Sequence, residues 1–199
     1  QQTILIIKNN NLPKFHAAPD GVLDKPVLDA FRQHGFVILE DFVTVAACRE
    51  LQARAIELVD AFDPAEVRSV FSTTRQTQLA DRYFIESGDK IRFFLEDGAF
   101  DDAGMLRQSK ENSLNKMGHA MHDLDPVFEK FSYTPALANV AASLGIRKPG
   151  VIQSMYIFKP PRIGGEVVCH QDSTYIYTDP ESCIGFWFIS IPISLYSGS

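Results

Sequence analysis

The sequence predicts an α+β fold in which an α-rich N-terminal part precedes a β-barrel or jelly roll. Apolar residues recur at helical spacing within the first 62 residues and again between residues 134 and 145. After Pro149 the chain changes to short alternating runs, interrupted by Pro-Pro and Asp-Pro turns that are typical of consecutive strands. Helices followed by a series of strands indicate an α+β architecture.

Two helices and an intervening strand are predicted in the N-terminal part. Pro26 suits the first turn of a helix that Gly35 ends. Residues 36–42 form a β-branched and aromatic run, which predicts a strand. Thr44 is placed to cap a second helix whose apolar stripe should cover one face of a sheet. The stripe consists of Cys48, Leu51, Ala55, Leu58, Val59 and Phe62.

The middle of the chain gives weaker patterns. Residues 63–78 read as a loop with a short helical turn, because they are polar and lack a sustained period. Residues 83–85 and 90–95 read as two short strands joined by a turn. Residues 114–122 alternate with a helical bias, and residues 134–145 form a helix with an N-terminal Thr-Pro pair and a closing glycine. The later strands are predicted at residues 151–159, around His170, at 175–178 and at 184–195.

Composition and charge narrow the class of protein. The chain has 199 residues, a formal net charge of -6 and a pI near 5.3, so a general nucleic-acid-binding surface is not expected. Cys48, Cys169 and Cys183 are far apart and are expected to be free thiols in a reducing, cytoplasmic environment. Neither a membrane span, a signal peptide nor a C-terminal peroxisomal signal is predicted.

The domain organisation predicted is simple. Residues 1–24 form an irregular lead-in, and residues 25–199 form one domain, since a chain of this size can bury a substantial core. The oligomeric state is not readable from the sequence.

A histidine and a carboxylate two residues apart give the first chemical signal. His170 and Asp172 follow a Gly164-Gly165 bend in a stretch that reads as a strand. Side chains at positions i and i+2 of a strand point to one face about 7 Å apart, so both can reach one ion. They could supply two legs of the two-histidine, one-carboxylate triad that holds non-haem Fe(II). A lone His-x-Asp is more often a surface pair or a hydrogen-bonded core histidine, so the rest of the sequence decides between these alternatives.

Several blocks in order resemble the phytanoyl-CoA dioxygenase family of Fe(II)- and 2-oxoglutarate-dependent oxygenases. The resemblance extends over about residues 26–189, and the ordered set of blocks within it is far more specific than the tripeptide alone. The blocks are SGDKIRFF at 87–94, NKMGHA at 115–120, HDLDPVF at 122–128, QSMYIFK at 153–159, GGEV at 164–167 and HQD at 170–172.

The resemblance implies a double-stranded β-helix, a jelly-roll and cupin-like oxygenase fold, with N-terminal helices. It implies that His170 and Asp172 bind Fe(II). It also implies that 2-oxoglutarate, the cosubstrate, is bound by Lys116, Met155, Gln171 and Trp187. A lysine is a point-charge partner for a dicarboxylate, and tryptophan offers a flat surface with one N–H donor.

Non-functional alternatives exist for several of these residues. Lys116 could be an exposed helix lysine, Met155 core filler and Trp187 barrel packing. His119 and His122 could share a helix face, but without cysteine partners a packing role is favoured over a zinc site. The Cys169 side chain is expected to point away from the His170 face.

The sequence departs from the family pattern at its C-terminal end. The family has a second iron histidine downstream and an arginine that clamps the far carboxylate of 2-oxoglutarate. No histidine follows Asp172, and no lysine or arginine follows Arg162. We therefore expect a C-terminally truncated domain with an incomplete barrel, in which weaker iron and cosubstrate binding makes activity doubtful.

The function implied is hydroxylation of an unidentified small molecule or acyl-CoA-like substrate, with release of succinate and CO2. Two alternatives stay open. The chain could be a non-catalytic product that binds a partner or competes with the complete enzyme. It could also be a metal-binding cupin-like module without redox chemistry.

Overall fold

The computed structural model describes residues 12–64, 70–71, 82–160, 162–167 and 170–189. Six α-helices and six β-strands lie in these ranges. The helices are α1 Lys25–His34, α2 Val45–Ala61, α3 Arg82–Ile85, α4 Met121–Leu124, α5 Pro126–Ser132 and α6 Pro135–Ser143. The strands are β1 Lys14–His16, β2 Ile38–Glu40, β3 Val70–Phe71, β4 Ile91–Glu96, β5 Leu114–His119 and β6 Ser154–Ile157. Short 3-10 helices occur at Lys110–Asn112 and Asp172–Thr174. Among the described residues no helix is both long and apolar enough to cross a membrane.

The chain divides into two compact units. The first contains the described residues of 1–50, 133–150 and 169–199, and the second those of 51–132 and 151–168. The long helix α2 therefore begins in the first unit and continues in the second.

The first unit is organised around α1, α6 and the parallel pair β1–β2. Asp24 caps α1 by accepting a hydrogen bond from the Val27 backbone N–H at 3.1 Å, as an N-cap carboxylate does. Gly35 ends α1 with a φ of 78°, a left-handed conformation in which glycine carries no Cβ penalty. The prediction of this helix is confirmed. Val27 of α1 and Leu23, which precedes the helix, pack with Val140 of α6, and α6 forms as predicted after Thr134.

The predicted cap of α2 is also confirmed. The Thr44 hydroxyl accepts a hydrogen bond from the Ala47 N–H at 3.1 Å. In the second unit the predicted stripe of α2 is buried at Leu51, Ala55 and Val59. This stripe covers one face of a four-stranded sheet, as expected.

The sheet has the order β3-β4-β5-β6. β3 runs parallel to β4, whereas β4–β5 and β5–β6 are antiparallel. The central strand β5 has neighbours on both sides, and all six of its residues are buried. Two buried clusters, which include Met117 and Leu114 of β5, join the sheet to α2. This apolar face holds the core of the second unit.

An ion pair between Arg54 and the buried carboxylate of Asp125 links α2 to the start of α5. Arg54 donates from Nε to Asp125 Oδ2 at 2.7 Å. The other carboxylate oxygen of Asp125 accepts the backbone N–H groups of Val127 and Phe128. Because both oxygens have donors, the buried charge is compensated.

Two elements differ from the sequence-based prediction. Residues 82–85 form helix α3 instead of a strand, and Arg82 pairs with Glu86 one helical turn away at 2.6 Å. Residues 114–119 form β5 instead of a helix. Leu114, Met117 and Met121 stand at helical spacing, but pairing with β4 and β6 overrides this local pattern, so the helical interpretation of this stretch was wrong.

The C-terminal strands also differ from expectation. His170 and Gln171 lie in irregular backbone, and Asp172 begins a 3-10 helix. Neither residues 175–178 nor residues 184–189 form a strand, while residues 190–195 of the predicted last strand lie outside the described residues. Most of the predicted loop at 63–78 also lies outside them. The α+β class is confirmed, and the sheets in the described parts of the chain do not close into a barrel. The double-stranded β-helix stays a prediction.

Candidate functional site

The predicted iron ligands His170 and Asp172 are brought together by local backbone in the first unit. His170 Nε2 lies 3.2 Å from Asp172 Oδ1, and both side chains are partly exposed, at 27% and 37%. The Tyr175 ring stands edge-on to the imidazole, with centroids 6.5 Å apart. The pairing is therefore achieved by a turn into a short 3-10 helix and not by strand alternation.

Gly185 makes a close approach to this pair. A Cβ built at Gly185 would lie 2.9 Å from Asp172 Oδ2 and 3.6 Å from Trp187 Nε1. Real Cβ atoms do not come so close to another atom, so only glycine leaves the Asp172 carboxylate in its present place. Trp187, a predicted cosubstrate residue, is thereby in the same neighbourhood, with 45% of its surface exposed. Gln171 is also a predicted cosubstrate residue. It is half-buried and lies in extended backbone between the two predicted ligands.

The donor set at this place suits part of an iron site. A neutral imidazole nitrogen and a carboxylate oxygen 3.2 Å apart can chelate one ion. Within the described ranges no group of three or more His, Cys, Asp or Glu side chains has a metal-binding arrangement. Burial, then the charges of Asp172 and Glu181, raise the pKa of the Cys183 thiol, which favours the protonated form that does not bind metals. His170 and Asp172 thus fit two positions of a triad.

Lys116 lies in the second unit, in the middle of β5. It is only 7% exposed, so the interpretation as an exposed helix lysine is wrong. Its Nζ lies 5.5 Å from the Phe84 ring centroid and 5.9 Å from that of Phe94. Burial lowers the pKa of Lys116 from 10.5 to about 7. Such a lysine gains its full charge when an anion binds beside it.

Met155 lies on the same face of the sheet as Lys116. Gly118, two residues after Lys116 on β5, pairs with Met155 on β6. A Cβ at Gly118 would lie 3.0 Å from Met155 Cγ and 2.9 Å from the Ser154 carbonyl oxygen. Met155 is 41% exposed, so it is not core filler. The structure brings these two predicted cosubstrate residues together within the second unit.

Two buried polar groups on the second unit were not singled out by sequence reasoning as functional. His119, at the end of β5, is bound through Nδ1 to Ser87 Oγ at 2.6 Å, and its Nε2 is buried without a hydrogen-bond partner. Glu96, at the end of β4, is 1% exposed, and its Oε1 is likewise unpartnered. His119 contacts Ser87, and Glu96 lies close to Gly165. Both partners are distant in the sequence, so no local motif marks either residue.

The proposed pairing of His119 with His122 on one helix face is wrong. His119 belongs to β5, whereas His122 belongs to α4 and is bound through Nδ1 to Ser154 Oγ at 2.7 Å. The alternative packing role is what the structure supports for His122, which is 2% exposed.

The predicted glycine bend before His170 is present. The Gly164 N–H donates to the Pro160 carbonyl at 3.1 Å, and Lys159 Nζ donates to the Gly165 carbonyl at 2.7 Å. A Cβ at Gly165 would lie 3.1 Å from Glu96 Oε2. The Gly-Gly pair therefore lets the chain turn and pass close to a buried carboxylate. Cys48 and Cys183 are free thiols, as predicted, and Cys169 lies outside the described residues.

Comparison with known proteins gives the class first. The sequence profile of the family described as phytanoyl-CoA dioxygenase (PhyH) matches residues 31–198. The profile therefore covers most of the chain, including every predicted site residue.

Individual relatives agree with this class. The chain is 47% identical over 178 residues to "Phytanoyl-CoA dioxygenase" of Arabidopsis thaliana, covering 89% of this chain and 62% of the relative. It is 48% identical over 169 residues to "Phytanoyl-CoA dioxygenase 1" of Oryza sativa subsp. japonica, covering 85% and 59%. It is 44% identical over 177 residues to "Phytanoyl-CoA dioxygenase domain-containing protein 1" of Mus musculus, covering 86% and 61%.

The chain belongs to the phytanoyl-CoA dioxygenase family. The resemblance noted in the sequence is thereby confirmed. The chain spans about 60% of the length of these relatives.

Proposed function

We propose that the chain is the larger part of an Fe(II)- and 2-oxoglutarate-dependent dioxygenase that hydroxylates a small organic substrate, with release of succinate and CO2. The observation that carries this proposal is the 3.2 Å juxtaposition of His170 Nε2 and Asp172 Oδ1 in a chain of the phytanoyl-CoA dioxygenase family. An imidazole nitrogen and a carboxylate oxygen of this kind supply two of the three positions of the triad that holds non-haem Fe(II).

His170 and Asp172 would hold the iron, and Gly185 keeps the space beside the carboxylate free. When bound, iron supplies the activation of O2 that couples decarboxylation of 2-oxoglutarate to substrate hydroxylation. The protein's contribution is to hold the imidazole and the carboxylate side by side. The 3.2 Å contact serves this purpose, because each group orients the other before the metal arrives.

Lys116 would supply the positive charge for a carboxylate of 2-oxoglutarate. Its burial between two aromatic rings removes competing water, so a carboxylate there meets a poorly screened ammonium group. Met155 would border the same face of the sheet. The resemblance to the family also assigns Gln171, with its amide, and Trp187, with its indole N–H, to the cosubstrate.

The substrate class follows from the family alone. The relatives' names point to an acyl-CoA-like molecule, and a different small organic molecule is compatible with the residues described. We propose a reducing, cytoplasmic setting, in keeping with the free thiols of Cys48 and Cys183. General binding to nucleic acid or membranes is not part of this proposal.

Anaerobic titration of the 199-residue chain with Fe(II) and then 2-oxoglutarate tests the binding part of the proposal. We expect a visible charge-transfer absorption band only when both are present, and no band in Asp172→Ala. Turnover is tested on the full product of the gene, as Fe(II)-dependent formation of succinate from 2-oxoglutarate.

The outcomes separate the alternatives. Metal binding without a charge-transfer band or succinate would favour a cupin-like module without redox chemistry. A full gene product that folds cooperatively and binds neither Fe(II) nor 2-oxoglutarate would contradict the dioxygenase proposal and favour a non-catalytic binding protein.

A further inference from the structure

The pair Ser87–His119 is a buried polar element that the proposed function does not yet use. His119 is 3% exposed and Ser87 is 1% exposed. Ser87 Oγ lies 2.6 Å from His119 Nδ1 and 2.5 Å from the Phe84 carbonyl oxygen. Nε2 on the other side of the ring has no partner. A buried, unpaired polar atom is uncommon in a folded protein and calls for an explanation.

The hydrogen bonds of Ser87 fix the tautomer of His119. A hydroxyl group has one proton, and a carbonyl oxygen can only accept. The proton of Ser87 must therefore lie on the contact with Phe84, because two oxygen atoms at 2.5 Å would otherwise repel each other. His119 Nδ1 is consequently the donor to Ser87. This assignment leaves Nε2 as a bare acceptor.

His119 and Lys116 share their surroundings. The His119 ring centroid lies 5.4 Å from that of Phe84 and 5.5 Å from that of Phe94. These are the two rings that Lys116 Nζ also contacts. Burial, and then the charge of Lys116, lower the pKa of His119 to about 4, so the ring is neutral in the free protein.

Glu96, whose Oε1 has no partner, lies at the opposite end of β4 from Ile91, the residue that pairs with His119. The other charged groups on the elements packed around His119 have partners of their own. In the turn after α3, Glu86 pairs with Arg82 and Asp89 pairs with Lys90, all near the surface. On β4 the Arg92 guanidinium lies over the Tyr83 ring at 4.4 Å and donates to the Tyr83 carbonyl oxygen. On α4, His122 is bound to Ser154. Lys116 is the charge among these that acts on His119.

A dicarboxylate bound at Lys116 would require a hydrogen-bond donor, and not an acceptor, at His119 Nε2. 2-Oxoglutarate carries two carboxylates and a ketone, which are all acceptors near neutral pH. A carboxylate oxygen facing an unprotonated Nε2 would be repelled, because both atoms are hydrogen-bond acceptors with lone pairs. The same contact becomes a charge-assisted hydrogen bond once Nε2 carries a proton, and the ligand's negative charge offsets the repulsion from Lys116.

We propose that His119, oriented by Ser87, is a second anchoring residue for the anion held by Lys116, and that Nε2 takes up one proton from solvent when the anion binds. The inference rests on the proposed function, because it takes 2-oxoglutarate as the anion at Lys116. No covalent bond forms or breaks except the new N–H bond at Nε2.

Isothermal titration of the full chain with 2-oxoglutarate tests the proposal. The protein is saturated with Fe(II) beforehand, so that metal binding contributes no protons. At about pH 6, His119 is neutral and Lys116 is already charged in the free protein. The binding enthalpy is measured in buffers of different ionisation enthalpy, and its dependence on the buffer gives the number of protons taken up. We expect uptake of roughly one proton per bound anion. His119→Gln should bind with uptake near zero, because its amide N–H can donate without titrating.

His34→Gln is the matched control, since His34 is an exposed histidine at the end of α1 and should leave uptake unchanged. Ser87→Ala should weaken 2-oxoglutarate binding by roughly tenfold, because the imidazole loses its orienting partner. Binding by the wild-type chain without proton uptake, or equal uptake by His119→Gln, would overturn the inference and leave the proposed function intact. A wild-type chain that does not bind 2-oxoglutarate would overturn both.

A measurement without substitution guards against variants that do not fold. Ring ¹⁵N chemical shifts of histidine-labelled wild-type protein, with Zn²⁺ in place of Fe(II), report the protonation of each nitrogen. We expect His119 to show a protonated Nδ1 and bare Nε2 in the free chain, and two protonated nitrogens with 2-oxoglutarate bound. An unchanged Nε2 would contradict the inference.

Discussion

The two groups of candidate site residues are built in opposite ways. Lys116 and His119 lie on the central strand of a sheet, where neighbouring strands hold the backbone and burial removes water. His170 and Asp172 lie on irregular backbone, are partly exposed and are positioned by each other and by a glycine contact. The sheet holds Lys116 and His119 precisely in place. Their burial lowers the stability of the folded protein, because the interior of the sheet disfavours their charged forms. His170 and Asp172 are partly exposed, so they lower the stability of the fold little. Because they lie on irregular backbone, their relative position is easily disturbed.

This contrast predicts that substitutions in the sheet group change stability and ligand binding together, whereas substitutions in the loop group change metal binding alone.

Lys116→Met should stabilise the protein by roughly 2–4 kcal/mol at pH 7, because it removes an ammonium group whose burial shifts its pKa from 10.5 to about 7. The folded pKa lies below the unfolded one, so the unfolded chain holds more protons between these values. Wild-type stability should therefore rise with pH across that window, and the variant should lose this rise.

Urea denaturation at pH 7 and pH 9 measures the effect, with exposed Lys148→Met as the control. The same Lys116 variant should lose 2-oxoglutarate binding. A destabilised variant that still binds the anion would contradict the assignment of Lys116 to the cosubstrate.

Asp172→Asn should weaken Fe(II) affinity by at least roughly 100-fold, because an amide is a poor ligand in place of a carboxylate. Unfolding free energy should change by less than about 0.5 kcal/mol, as for a surface substitution. Competition with a chelator measures the affinity, and exposed Asp102→Asn is the control. Equal Fe(II) affinity in the two variants would remove Asp172 from the metal site.

His119 should make the protein acid-sensitive between pH 6.5 and about 4, the unfolded and folded values of its pKa. Because the folded value is the lower one, stability present above pH 6.5 is lost as the pH falls through this window. The expected loss is roughly 1–3 kcal/mol. His119→Gln should lose less across that range than the wild type, and thermal unfolding at pH 4.5 and 7 makes the comparison. A parallel loss in both proteins would show that other groups govern it.

Gly185→Ala should weaken Fe(II) binding by roughly tenfold, since a methyl group 2.9 Å from Asp172 Oδ2 must displace the carboxylate. Gly150→Ala is the control in the same unit, because a Cβ there meets nothing within 4 Å. Chelator competition again gives the affinity. If both alanine variants bind Fe(II) like the wild type, the carboxylate is not fixed by Gly185.

Elements that are determined by contacts between residues close in the sequence could be predicted, whereas elements that depend on distant residues could not. Pro26 and Thr44 act within the first turn of the helices that they begin, so both helix starts were predicted correctly. The strand β5 was mistaken for a helix, because both of its faces are covered and its identity comes from pairing with strands elsewhere in the chain. Tertiary pairing overrides a local pattern in such a segment.

The same distinction holds for the site. His170 and Asp172 are two residues apart, so their pairing was foreseeable, although the structure achieves it without a strand. Lys116 was identified by resemblance, while its burial was not foreseen. The Ser87–His119 pair joins residues that are 32 positions apart, and no spacing rule connects them.

Gly185 also has a spectroscopic consequence. Trp187 is the chain's single tryptophan, and its indole nitrogen borders the same small space as the Asp172 carboxylate. Its intrinsic fluorescence therefore reports on this neighbourhood without interference from another indole. A bound ion or an organic acid should quench or shift that emission, so occupancy can be followed in dilute solution without any label.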